Sequence, residues 1–138
     1  IYVMKCTSQY PSEIANVNLN SIRTLEKLRE SSHKEIKIGL SDHTRSIGVV
    51  LRAIHKYQVS ALELHIDLDE NGVEFSMGHC WLPDELALLK QLIDEGICSD
   101  GQSKFGPVKA ELEERSWRAD PDDGLRPTMK IRKNFHGS

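Results

Sequence analysis

Residues 37–44, KIGLSDHT, decide the fold. The run EIKIGL (35–40) has the apolar alternation of a β-strand, and it stops abruptly at four polar side chains, Ser41, Asp42, His43 and Thr44. A strand that ends by presenting a hydroxyl, a carboxylate and an imidazole must open onto something polar. Beyond it the period changes. Ile47, Val50, Leu51 and Ile54 fit the i, i+3, i+4, i+7 spacing of an amphipathic helix. Strand, polar turn and helix make one βα unit.

The same unit lies on either side. IYVMKC (1–6) reads as a buried strand, followed by a polar loop and a helix to about Ser31 whose Leu19, Ile22, Leu25 and Leu28 fall three apart. ALELHIDL (61–68) reads as a third strand, followed by a long loop. Pro83 then opens a third helix, with Asp84 and Glu85 in the first turn, where the macrodipole favours anions. Leu86, Leu89, Leu92 and Ile93 supply its apolar face. Strands alternating with helices imply right-handed βαβ connections, a parallel sheet and the α/β class. Polar residues gather at the strands' carboxyl ends, where (β/α) barrels and doubly wound sheets place their sites. After about Gly96 the pattern weakens. AELEERSWR reads as a possible short helix, ADPDDGLRP as turns, and NFHGS as a frayed end. The expected division is three βα units over 1–98 and an irregular tail over 99–138.

The composition bounds the function. With 138 residues, 38% hydrophobic and 28% charged, the chain is long enough for one soluble domain with a core. Its 18 basic residues are scattered among 21 acidic ones, so neither nucleic acid nor a membrane surface is an expected partner. No apolar run is long enough to span a bilayer, and no signal peptide is visible. Cys6, Cys80 and Cys98 are odd in number and form no CxxC pair, which points to a reduced, cytoplasmic chain. The sequence starts at Ile1, inside a strand and without an initiator Met, so it is expected to be cut from something longer.

Imidazoles on neighbouring strand ends, with carboxylates nearby, suit an open divalent-metal site. His43 directly follows one strand. His65 lies within the next, on the face it shares with Glu63 and Asp67 by the period of two, with Leu62, Leu64, Ile66 and Leu68 opposite. The competing reading is a hydrogen-bonded core histidine, the usual state of a lone histidine in a strand. DLDENG (67–72) begins like an EF-hand loop, but Gly78 stands where the pattern requires Glu, so calcium binding by that motif is rejected. His79 and Cys80 lack a second ligand pair at a suitable spacing and are read as loop packing against Trp81. His33, His55 and His136 are read as solvated.

Taken in order, KCTSQYP, NVNLNSI, IGLSDHT, LELHIDLD and LPDEL resemble the sialic acid synthase family over residues 1 to about 95. The resemblance implies an enzyme that condenses phosphoenolpyruvate with an N-acetylated hexosamine to a nonulosonic acid. It further implies a TIM (β/α)8 barrel, of which these segments are the last three βα units, the N-terminal five being a partner outside this sequence. It implies that His43 and His65 hold Mn2+ or Mg2+, that Ser41 contacts the phosphate, and that Tyr10 lines the acceptor-sugar pocket. Ser8 stands where many members carry a phosphate-contacting Asn. Glu63 matches a glutamate that guides the attacking water, and Asp42 is expected to support His43 from behind. EFSM (74–77) replaces the family's Gly-Pro-Asp-His, which implies a different acceptor sugar. Many members add an antifreeze-like domain that gives an arginine to the partner subunit. Arg118 and Arg126 are the tail's candidates for that role, against the simpler reading of a solvated tail.

Two other readings stay open: a non-catalytic half-barrel assembly module, and a different metal-dependent barrel enzyme such as a hydrolase. Three parallel strands leave two unpaired edges, so a homo-oligomer is expected unless the tail folds over one of them. The chain alone is expected to lack synthase activity.

Overall fold

The structure is a computed structural model that describes residues 1–135; His136 therefore lies outside the described residues. The chain divides into two compact units, Ile1–Asp100 and Gly101–Ser138. In the first, β1 (Tyr2–Cys6), β2 (Lys37–Asp42) and β3 (Ala61–Leu64) form a sheet in the order β1-β2-β3, and both pairings are parallel. Helix α1 (Ile22–Glu30) connects the first pair and α2 (Ile47–Tyr57) the second. A one-turn helix α3 (Val73–Ser76) and the long α4 (Pro83–Ser99) follow β3.

Within the first unit the helices pack on the sheet face that carries Ile38, Leu40, Leu62 and Leu64. Ile38 packs with Ile22 and Tyr57, and Leu40 with Val17, Val49 and Ala53. Leu62 and Leu64 pack against a third cluster of Val50, Trp81 and Leu89. The expected helical spacing of Ile47, Val50, Leu51 and Ile54 is therefore the face that meets the sheet and α4. Gly39, on the opposite face, lets Met4 lie across the strand, since an added Cβ would come within 2.4 Å of the Met4 sulfur.

The structure corrects the sequence reading in three places. β1 takes the expected edge position but is not buried, Tyr2 and the preceding Ile1 being exposed. β3 ends at Leu64, so Ile66 and Leu68 leave the apolar face, and Leu68 is 78% exposed. Leu28 is exposed because α1 turns only its Ile22 and Leu25 side to the sheet.

Beyond β3 the backbone makes one further parallel bridge, Ile66 with Trp81: the Trp81 N–H donates to the His65 carbonyl and the Asp67 N–H to that of Trp81. Burying Trp81 between Val50 and Leu89 thus draws the preceding residues back beside the strand end.

The second unit holds α5 (Lys109–Glu114), a 3-10 turn (Arg115–Trp117) and α6 (Met129–Phe135). Buried Asp120 accepts from the N–H groups of Asp122 and Met129, which fixes the start of α6. This helix was not expected from the sequence. Arg118 lies 3.7 Å from Glu111 within this unit.

Candidate functional site

The β2–β3 register sets Ser41 beside Glu63, and the same offset carried two residues on brings His43 beside His65. Their rings stand 5.0 Å apart. Tyr10, from the loop after β1, packs against both, 4.1 Å from His43 and 5.5 Å from His65. Ser41 donates to Glu63 Oε1 at 2.7 Å. Ser41, His43, Glu63 and His65 therefore share the face turned away from the helices at the carboxyl end of the sheet, as the alternation of strand side chains requires. The Tyr10 loop lies against them, and Ser41 and His43 are buried there.

The tautomer of His43 follows from its neighbours. Its Nδ1 lies 2.8 Å from the Thr7 carbonyl, which can only accept, so Nδ1 carries the hydrogen. Nε2 then has a free lone pair. Ser41 Oγ is 3.4 Å from it, but the hydroxyl proton already goes to Glu63. An imidazole oriented by a backbone carbonyl, with its other nitrogen unclaimed, is the usual form of a metal-binding histidine. His43 can offer Nε2 to a ligand on this ground, with the His65 ring 5.0 Å away.

Asp42 has a different place from the one expected. It points to the helix-covered face, and its carboxylate accepts from the N–H and hydroxyl of Thr44. The Thr44 hydroxyl in turn accepts from the Ser46 N–H, and the Ser46 side chain caps α2 by accepting from the Val49 N–H. Asp42 organises the turn from β2 into α2, while His43 is held from behind by Thr7. Burial pushes the Asp42 carboxyl up, against the Thr44 hydrogen bonds that pull it down. Ser8 is exposed, its polar contact being Cys6 Sγ at 3.9 Å, and the structure does not bring it into the ring cluster.

The sequence reading missed His79 and Glu74. His79 is 2% exposed, its ring 4.9 Å from His65 and 5.3 Å from Tyr10. Burial, and next the charge of His65, hold it below the usual imidazole range. Its Nδ1 is buried without a hydrogen-bond partner among the described residues. Glu74 Oε2 lies 3.5 Å from His65 Nδ1. Tyr10, His65, Glu74, Met77 and His79 line a pocket of about 340 Å³. A larger pocket of about 420 Å³, between the first loop and α2, shares none of these residues. The legible signal was Trp81: a tryptophan that must be buried after a polar loop returns its neighbours to the core.

Arg45 fastens that loop. It adopts a left-handed backbone (φ 53°), donates to Glu85 at 2.6 Å, and lies 5.2 Å over the Phe75 ring. Glu85 also accepts from the Leu82 N–H at the start of α4.

The NeuB family profile matches residues 1–104. The chain belongs to the NeuB family, the sialic acid synthases. It is 32% identical over 71 residues to the N,N'-diacetyllegionaminic acid synthase of Campylobacter jejuni subsp. jejuni, and 34% identical over 71 residues to an uncharacterized protein of Methanocaldococcus jannaschii. Each match covers 51% of this chain and only 20% and 19% of those relatives. The fold is similar to a solved N-acetylneuraminic acid (sialic acid) synthetase from Leptospira borgpetersenii serovar Hardjo-bovis (TM-score 0.59, 24% identity), covering 99% of this NeuB chain and 41% of that one. The expected family is thus the observed one. Among the described residues no helix is long and apolar enough to cross a membrane.

Proposed function

We propose that this chain forms the last three βα units of a (β/α)8 barrel that condenses phosphoenolpyruvate with an N-acetylated hexosamine, giving a nonulosonic acid. The observation that carries the reading is the 5.0 Å approach of His43 and His65 at the ends of adjacent parallel strands, beside the Ser41–Glu63 hydrogen bond. His43 and His65 would hold Mn2+ or Mg2+. When bound, the ion supplies Lewis-acid polarisation of the acceptor's aldehyde oxygen.

The remaining steps belong to the chain's own groups. Tyr10 lines the acceptor-sugar pocket. The Ser41 hydroxyl has one proton, so it serves Glu63 or a phosphate oxygen, but not both at once. Phosphate binding turns it away from Glu63 and frees that carboxylate to accept a proton from water. The enol π pair forms the new bond to the aldehyde carbon while the aldehyde oxygen takes up a proton and becomes a hydroxyl. The water oxygen adds to the resulting cationic carbon and gives one proton to Glu63. The C–O bond to phosphate then breaks, and the remaining hydroxyl proton leaves with phosphate as the ketone forms. Ser8, on the loop after β1, is a second phosphate contact. EFSM (74–77) selects the acceptor sugar.

The two sheet edges, β1 and β3, await either the other βα units of the barrel or a second copy of the chain, in the cytoplasm. Phosphate release from phosphoenolpyruvate with N-acetylmannosamine and related hexosamines tests the reading. The 138-residue chain alone is expected to show none, because the groups that position the substrate would be incomplete. Chain joined to the missing units is expected to turn over with Mn2+ and to lose turnover in His43→Ala. Turnover that ignores phosphoenolpyruvate, or persists in His43→Ala, would overturn it.

A further inference from the structure

We propose that His65, Glu74, His79 and Cys80 form a zinc-type metal site of their own. It goes beyond the synthase reading and shares only His65 with it. One donor atom from each of the four lies within 4.8 Å of the other three.

Two features separate this set from a chance cluster of polar groups. The first is the unclaimed imidazole. His79 is buried, and its Nδ1 has no hydrogen-bond partner among the described residues. Buried polar atoms are ordinarily paired, and an unpaired one asks for an occupant. The second is a distance. His65 Nδ1 and Glu74 Oε2 are 3.5 Å apart, longer than a good hydrogen bond. Two ligands each about 2.1 Å from a tetrahedral ion stand about 3.4 Å apart, so this pair could take an ion between them with little movement.

The donors choose the ion. Two imidazoles, a carboxylate and, above all, the soft Cys80 sulfur suit Zn2+ or Co2+, whereas Mg2+ and Mn2+ are poor partners for a thiolate. Local structure explains why four residues so unlike in spacing meet. The Trp81 bridge to Ile66 draws His79 and Cys80 beside His65, and the one-turn α3 sets Glu74 over the same ring. An ion here would tie the 72–81 segment to the end of β3, next to the pocket lined by Tyr10 and Met77.

The test is titration of the metal-free chain with Co2+, read by absorption, and with Zn2+, read by calorimetry. One ion per chain is expected, with the visible bands of four-coordinate cobalt and a sulfur-to-cobalt charge-transfer band that Cys80→Ser removes. Glu74→Gln and His79→Ala should each weaken Zn2+ binding about tenfold or more. Glu74 is exposed, so its variant reports on the ligand and not on folding. His33→Ala should leave Zn2+ affinity within about threefold of wild type, since the exposed His33 is not in the donor set. Unchanged affinity in both Glu74→Gln and His79→Ala, or a cobalt spectrum without the sulfur band, overturns the proposal. Loss in His43→Ala with none in His79→Ala would do so while leaving the synthase reading intact.

Discussion

Ser41 donates a 2.7 Å hydrogen bond to Glu63 across the β2–β3 pairing, joining a buried hydroxyl to a carboxylate on the open face. Because Glu63 is exposed, water can replace most of what Ser41 gives it. Ser41→Ala is therefore expected to cost only about 1 kcal/mol in urea denaturation. On the proposed reading, in which the hydroxyl serves phosphate, its larger effect should fall on turnover by the assembled barrel.

Trp81 anchors the loop that carries Glu74 and His79. It is 1% exposed, and its indole N–H has no partner among the described residues. Trp81→Ala should destabilise the chain by about 3–5 kcal/mol. Trp81→Phe should cost markedly less, because it removes the unpaired N–H along with the lost volume. Thermal denaturation of the two variants checks the order. Equal losses would contradict this account of the side chain.

Two carboxyls should give opposite pH dependences. The Arg45 hydrogen bond, helped by the Leu82 N–H, holds Glu85 below the usual carboxylate range. Its stabilisation is present above the unfolded-state value and is lost as pH falls through the lower folded one. Burial raises Asp42, so the folded state binds its proton more tightly than the unfolded state does. Stability from Asp42 is full below its ordinary value and declines as pH rises through the raised one. Glu85→Gln should flatten the acid limb of a stability–pH curve, and Asp42→Asn should remove the decline above it.

The legible parts of this fold are those where local pattern and tertiary packing agree. Ile38 and Leu40 alternate because β2 is central and faces helices on one side, and Val50 falls on the helix face that meets α4. β1 (YVMKC) is as apolar as a buried strand, yet its exposure depends on which strand stands beyond it, which no local pattern contains. The expectation that Asp42 supports His43 fails because adjacent strand residues point to opposite faces. His79 was set aside because ligand spacing was sought along the chain, whereas its neighbour His65 is supplied by the Ile66–Trp81 bridge. A helix as short as α6 is fixed by Asp120 nine residues before Met129, too remote to read as a cap.

The edges of the sheet make a further expectation. Among the described residues β1 and β3 each have one side without a partner strand, and Tyr2 on β1 and the preceding Ile1 are exposed. Unpaired apolar edges invite strand addition. Sedimentation of the chain in dilute solution should show a species larger than the monomer. A monomer at all concentrations would contradict this expectation.

The shared ion of His43 and His65 is the centre of the account, and Mn2+ binding followed by electron paramagnetic resonance tests it most directly. One Mn2+ per chain should be taken up, with affinity reduced about tenfold or more in both His43→Ala and His65→Ala and unchanged in His33→Ala. Equal Mn2+ affinity in wild type and His43→Ala would contradict the central claim.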